Sequence, residues 1–386
     1  MNSAILTEVM AGILFNPRYV ALDTGTIDQM CKGASADAKQ LFSILRSGDW
    51  IPFLTYHHLE ELACHENDDV FERRCDFICT LPQVACMERA GRPASVGSII
   101  DLREYEIEFL LANPNATHHE IIESVRPKVR SGFYSGSQLL NENRQWLEFF
   151  RTTNLAEIRR RTKAETANLA HFPISDMKEA VPRKGEAWNA CSPQEAIANW
   201  KRKATWLKRQ VDEHGDSRHM NSQELVRNFM SDVLDGALKS LAGGGDVFEN
   251  YLEEAQVDRN RLPTNARIED VIYENVFVMN MGTHARNLLK NKGEMLKLIR
   301  KEALPSWLIW QELDRHIRQL PNAEAGNLGD KDIASFGPYL DVLNTDKRIA
   351  EMLKQAGRKD QLLLSVYQRV PERRGLKGLI ETLRNN

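Results

Sequence analysis

Tyr19-Val20-Ala21-Leu22-Asp23-Thr24-Gly25-Thr26 is the stretch whose reading decides the fold. Four apolar residues without polar alternation fit a short strand buried on both faces, as in a parallel sheet. The run breaks at an acid and then Thr-Gly-Thr, which marks a strand end and a helix start. The pattern returns near the far end of the chain, where Leu340-Asp341-Val342-Leu343 is followed by Asp346. Two strand-end acids so distant in sequence point to one site divided between the ends of the chain.

Working outward from Asp23, Ala36 to Leu45 carries Ala38, Leu41, Phe42 and Leu45 at helical spacing. The turn Ser47-Gly48-Asp49 leads to a second short strand, Trp50-Ile51-Pro52-Phe53-Leu54-Thr55, and then to a helix over His57 to Cys64. Strand, helix, strand, helix in that order predicts a parallel sheet flanked by helices, an α/β fold. From about residue 100 to 320 the texture changes to long amphipathic patterns rich in Arg, Lys and Glu, among them Asn154 to Ala170, Pro193 to Gln210 and Gln223 to Leu241. The strand texture comes back with Tyr339 to Leu343, after a helix that Gly329-Asp330-Lys331-Asp332 would cap. The expected organisation is an α/β core built from residues 1–95 and 323–386, with 96–322 as a large all-α insertion.

The 386 residues are enough for two or three domains at roughly 150 each. Lys and Arg number 51 against 54 Asp and Glu, a formal net charge of -3, so any surface for a polyanion must be local. The six cysteines form no CxxC pair; the spacing of Cys75 and Cys79 is that of one helix face, which favours buried thiols over metal ligands. The N-terminus lacks a basic segment followed by a long apolar one, and no run approaches the ~18 apolar residues of a membrane span. A reducing cytoplasm and no membrane partner are expected.

An Asp at a helix start is accounted for by capping alone, because its carboxylate accepts from free backbone N–H groups there. Taken together the acids read differently, since side chains at the carboxyl ends of parallel strands converge on one crevice. Asp23 and Asp346 follow strands, Asp332 lies just before the last strand, and Glu60-Glu61 lies on the helix after the second. Carboxylates gathered in one crevice repel one another unless a cation neutralises them. A hard, oxygen-seeking ion, Mg²⁺ or Mn²⁺, is the expected partner.

These residues resemble the PIN domain family of metal-dependent nucleases. The likeness rests on Tyr19 to Thr24, on Leu54-Thr55-Tyr56-His57-His58-Leu59-Glu60-Glu61-Leu62, and on Asp332 leading to Asn344-Thr345-Asp346-Lys347-Arg348. It covers about residues 15–95 and 325–370, and departs from the family in the length of the insertion. The resemblance implies that Asp23, Glu61, Asp332 and Asp346 are the catalytic acids. Asp23, Asp332 and Asp346 would hold the cations that activate water at a scissile phosphate, and Glu61 would complete the ligand set or orient that water. It also implies RNA as the polymer, with single-stranded DNA the alternative. Such a nuclease must be restrained in the cell, so a regulatory protein partner and a toxin-like or defence role follow by analogy.

Two choices within the motifs have a favoured answer, with Glu60 and Asp330 kept as accessory candidates. Glu60 and Glu61 point about 100° apart on a helix, and the Glu-Leu match favours Glu61. Asp332 is favoured over Asp330 because it directly precedes the apolar helix, leaving Asp330 as an outer acid. Thr24, Thr345 and His58 adjoin the acids and are accessory candidates, although turn hydroxyls and helix-start histidines often serve structure alone. In the insertion, Arg160, Lys201, Arg202 and Trp206 belong to basic and aromatic stretches that suit a nucleic-acid strand; packing of Trp200 and Trp206 with solvated charges around them is the plainer reading.

Two other classes compete. One is a catalytically silent nucleic-acid-binding or interaction protein in which the acids are only caps. The other is a small-molecule phosphohydrolase; Gly25 stands where such enzymes often place a second Asp, which counts against it. The chain has no GxxxxGK[ST] phosphate loop.

Overall fold

The computed structural model describes residues 17–152 apart from 34, 64, 66, 90 and 91, scattered positions between 180 and 231, and residues 247–288 except 255. It further describes 299–317 and 326–386 except 374. The chain divides into two compact units. The first comprises Met1–Leu155, Leu304–Trp310 and Gly329–Asn386, the second Ala156–Ala303 and Gln311–Leu328.

The first unit is built on a five-stranded sheet. Strand β1 (Arg18–Ala21) leads through Asp23 into helix α1 (Thr24–Lys32), and α2 (Ala36–Ser47) returns the chain to β2 (Trp50–Leu54). β2 runs parallel to β1 in the register Arg18↔Trp50 to Ala21↔Phe53. Pro52 is tolerated in this central strand at a point where the next neighbour has not yet paired, since that ladder opens at Phe53↔Ala85. Helices α3 (Tyr56–Ala63) and α4 (Asp68–Cys79) follow, then β3 (Val84–Cys86), parallel to β2, and a short antiparallel ribbon of β4 (Glu88–Arg89) and β5 (Arg92–Val96).

Helices α5 (Ile99–Ala112) and α6 (His118–Val129) precede β6 (Gly132–Tyr134), which pairs antiparallel with β3 at one edge. Helices α7 (Gly136–Glu142) and α8 (Arg144–Thr152) close this part of the unit. The first unit thus extends past residue 95 to Leu155, further than the sequence texture suggested. β6 is a strand inside the stretch expected to be all-helical. Its three residues are too short to show a period, and an edge strand needs only one partner.

In the second unit, helices α9 (Val247–Glu254) and α10 (Ile268–Leu288) enclose a core of Phe248, Leu252, Val257 and Val271. Its buried Glu274 is compensated by Lys301 Nζ at 2.6 Å and by Arg261. Every described residue within 198–209 and 223–231 is helical, and Asn154 to Ala170 lies outside the described residues.

Helix α11 (Pro305–Ile317) begins in the first unit and ends in the second, and α12 (Gly326–Ser335) begins in the second and ends in the first. β7 (Val342–Leu343) pairs parallel with the other flank of β1, giving the order β6-β3-β2-β1-β7. Helices α13 (Lys347–Ala356), α14 (Gln361–Tyr367) and α15 (Gly375–Asn385) complete the chain.

The alternation of the pleat sorts the core. Val20, Leu22, Leu54 and Val342 join Leu41, Leu45, Leu379 and Leu383 in one buried cluster. Phe53 faces the other way and packs on Phe336, ring centroids 5.8 Å apart. Cys75 and Cys79, expected to be buried on one helix face, are half-buried and exposed respectively on α4. Among the described residues no helix is long and apolar enough to cross a membrane.

Candidate functional site

The parallel strands β1, β2 and β7 deliver their carboxyl ends to the same side of the first unit, and the acids follow from there. Asp23 has extended backbone, φ -68° and ψ 158°, and its Oδ1 accepts from the Thr26 N–H at 2.6 Å, so it ends the strand and caps α1. Asp346 does the same after β7, accepting from the Ile349 N–H at 2.7 Å and starting α13. Asn344 binds the two connections together. Its Nδ2 donates to Thr26 Oγ1 at 2.8 Å and lies 3.4 Å from Asp23 Oδ1.

Glu61 enters from α3, where its Oε2 accepts from the Thr24 hydroxyl. On the far side α12 comes close enough that a Cβ on Gly329 would sit 2.8 Å from Glu61 Oε1; glycine at 329 lets the helix approach. The next residue, Asp330, is held among the other acids. Burial first, and then the charges of Glu61, Asp346 and Asp23, push its carboxyl up to about 8. Asp23 is also raised, mainly by burial, against the hydrogen bonds from Thr26 and with smaller pushes from Asp346 and Asp28. Four carboxylates therefore share this end of the sheet: Asp23, Glu61, Asp330 and Asp346.

Asp332 is not one of them. The expected helix start at Asp332 is displaced, since α12 already begins at Gly326, and residues two apart on a helix point about 200° apart. With Asp330 turned to the acids, Asp332 turns to His57, whose Nε2 lies 2.8 Å from its Oδ2. His57 Nδ1 sits 3.1 Å from Glu60 Oε2. Burial works against the imidazolium, but Asp332 and Glu60 together hold the His57 pKa up to about 10. Asp332 in turn stays below the ordinary carboxylate range, burial being outweighed by His57, Lys331 and Arg103. Glu60 and Asp332 thus both sit on His57, and of the two acids on α12 it is Asp330 that faces Glu61, Asp346 and Asp23.

His58 is a core residue. It is fully buried, with Nδ1 accepting from the Thr55 N–H at 2.9 Å and Nε2 2.7 Å from the Leu22 carbonyl. Burial lowers its pKa to about 4, so it stays neutral, and its ring ties the residue after β1 to the start of α3. Thr24 is bonded to Glu61, and Thr345 is buried between Asn344 and Asp346. Lys201 and Arg202 are exposed helical residues of the second unit, while Arg160 and Trp206 lie outside the described residues. Two groups that sequence reasoning missed are Asn344, visible only as the neighbour of Thr345-Asp346, and the His57–Asp332 pair, which has no sequence signal.

The donor set is all hard oxygen, which suits Mg²⁺ or Mn²⁺. Among the described residues, however, no three His, Cys, Asp or Glu side chains are drawn in to the spacing of a closed metal site. The chemistry of the donors fits a divalent cation, and in this structure Glu61 is bonded to the Thr24 hydroxyl while Asp23 and Asp346 are bonded to the helix N–H groups they cap. Compared with known proteins, the chain matches no family model, no curated protein and no solved structure.

Proposed function

We propose that the first unit is a metal-dependent nuclease of PIN-like design, hydrolysing phosphodiester bonds of single-stranded RNA at the carboxyl ends of β1 and β7. The observation that carries this reading is the arrival of Asp23, Glu61, Asp330 and Asp346 at one end of a parallel sheet from four separate elements. Caps alone account for Asp23 and Asp346, but they leave Asp330 unexplained, because it lies inside a helix and no capping duty requires a half-buried acid there.

Asp23, Asp330 and Asp346 would hold the ion, with Glu61 beside them. A bound divalent cation supplies neutralisation of the scissile phosphate and a lowered pKa for the attacking water. The chain's own part is to fix the acids: the hydrogen bond from Asn344 to Thr26 ties the α1 connection to that of β7, and the Thr24 hydroxyl orients Glu61. Lys347 and Arg348, exposed on the first turn of α13, stand next to Asp346, where a substrate backbone phosphate would be attracted. No side-chain nucleophile is required.

A second reading has its own observation: the acids are not drawn in to metal-ligand spacing, as a catalytically silent nucleic-acid-binding protein would have it. End-labelled single-stranded RNA and DNA incubated with the protein and Mg²⁺ or Mn²⁺, with and without chelator, separates the two. Metal-dependent cutting that disappears in both Asp23→Asn and Asp346→Asn supports the nuclease. RNA retained without cutting by folded, metal-supplied protein supports the silent binder.

A further inference from the structure

At the opposite end of the same strands the charge is reversed. A cavity of about 370 Å³ opens where β1 and β7 begin, lined by Arg18, Arg126, Arg369, Asp341, Gln368 and Thr382 among others. Arg18 is the first residue of β1, and the central carbon of its guanidinium lies over the Trp50 ring, 4.5 Å from its centroid. Arg126 comes from α6; its Nη1 is 2.6 Å from Glu123 and its Nη2 donates to the Pro338 carbonyl at 3.2 Å, while its buried Nε has no hydrogen-bond partner. Arg369 follows α14 and donates to the Leu340 carbonyl. Arg130 stands just behind, 3.1 Å from Asp341 Oδ1, and Asp341 Oδ2 accepts from the Tyr19 N–H at 2.8 Å.

Among these side chains four guanidiniums meet two carboxylates, Asp341 and Glu123. Burial first, then the adjacent Arg126 and Arg130 charges, lower Arg369 from its ordinary range even with Asp341 and Glu123 nearby. Like charges crowded at a cavity wall are relieved by a counter-ion that fits between them. Guanidinium forks match the oxygens of a phosphate, which carries about 1.5 to 2 negative charges near pH 7. The cavity falls in the roughly 300–1,000 Å³ range of small-ligand sites, so it has room for more than the phosphoryl group.

We propose that this cavity is an anion site that takes the phosphate monoester of a small molecule or of a nucleic-acid end, gripped by Arg18, Arg126 and Arg369. It is separate from the carboxylate site by the length of β1, four residues at roughly 3.3 Å each. The assignment does not depend on the chain being a nuclease.

Calorimetric titration of the full chain, with chelator present and ionic strength held constant with chloride, tests it. The probes are inorganic phosphate, adenosine 5′-monophosphate, adenosine, and an oligonucleotide with a 5′-phosphate or a 5′-hydroxyl. Phosphate-bearing probes are expected to bind with a Kd of about 1 mM or better and adenosine not to bind. Tight binding of the monophosphate assigns the site to a small molecule, and tight binding of only the 5′-phosphorylated oligonucleotide assigns it to a strand end. Arg18→Gln, which loses no backbone contact, should weaken binding roughly tenfold or more, and Arg369→Lys should weaken it by keeping charge but losing the fork. Phosphate affinity equal in wild type and Arg18→Gln, or no phosphate-dependent heat with the wild type, overturns the proposal.

Discussion

The two ends of β1 carry opposite concentrations of charge. At its carboxyl end, Asp23, Glu61, Asp330 and Asp346 gather, and burial first, then the charges of the other three, raises Asp330 to about 8. At its amino end, Arg18, Arg126, Arg130 and Arg369 crowd Asp341, and Arg369 is lowered. The His57–Asp332 and Arg74–Asp28 pairs in the same unit are compensated, the latter through two contacts of 2.5 and 2.8 Å. These pairs balance charge locally, whereas the two ends of β1 each gather side chains of mainly one sign. Like charges crowded together cost stability, so each end of β1 is where a counter-charged ligand is expected. The acids would take a cation and the arginines a phosphate.

The largest effect should come from removing an acid of the cluster. Asp346→Asn and Asp330→Asn are each expected to lower metal-dependent cleavage by about 100-fold or more, read from initial rates on labelled RNA. Asp330 and Asp332 then sharpen the contrast between excess and compensated charge. Asp330→Asn relieves repulsion and should stabilise the metal-free protein by roughly 1–3 kcal/mol in urea denaturation. Asp332→Asn takes away one of the two carboxylates on the buried His57 imidazolium and should cost roughly 2–4 kcal/mol in the same assay. Opposite signs from acids two residues apart would be hard to explain if both were plain helix residues.

Glu106 offers a pH test away from either charged end. It is fully buried in α5, accepting from the Ser306 N–H at 3.0 Å, the Ser306 hydroxyl at 2.7 Å and the Tyr339 hydroxyl at 2.6 Å. Burial raises its pKa to about 7 from an ordinary 4.5. A carboxyl raised on folding contributes stability that is present below pH 4.5 and lost as pH rises through 7. Wild type should therefore lose about 1–3 kcal/mol from this group between pH 5 and 8, and Glu106→Gln should flatten that slope. The smallest effect is expected in the second unit, where Lys201→Ala with Arg202→Ala should weaken RNA binding only about twofold, the change fading at high salt in filter-binding curves.

The α/β class and the parallel sheet were legible because Tyr19 to Leu22 and Trp50 to Leu54 are unbroken apolar runs, and burial on both faces leaves no other pattern. Asp23 and Asp346 could be placed for the same reason, each being the first acid after a strand. Which of Asp330 and Asp332 faces the other acids was not legible, because the phase of a helix depends on where it starts. Nothing in Gly326 to Gly329 signals that α12 begins there, ahead of the acids. His58 looked accessory since the sequence cannot tell that its ring closes on the Leu22 carbonyl. The arginine cavity has no signature at all: Arg18, Arg126 and Arg369 come from three distant segments and meet only through topology.

Mn²⁺ binding, followed by loss of the free-ion electron paramagnetic resonance signal, tests the central claim most directly. Wild type should take up Mn²⁺, Asp330→Asn and Asp346→Asn should lose most of that uptake, and Arg18→Gln should keep it. Equal uptake by wild type and both acid variants, or none by the wild type, would contradict the account of the carboxylate end as a cation site.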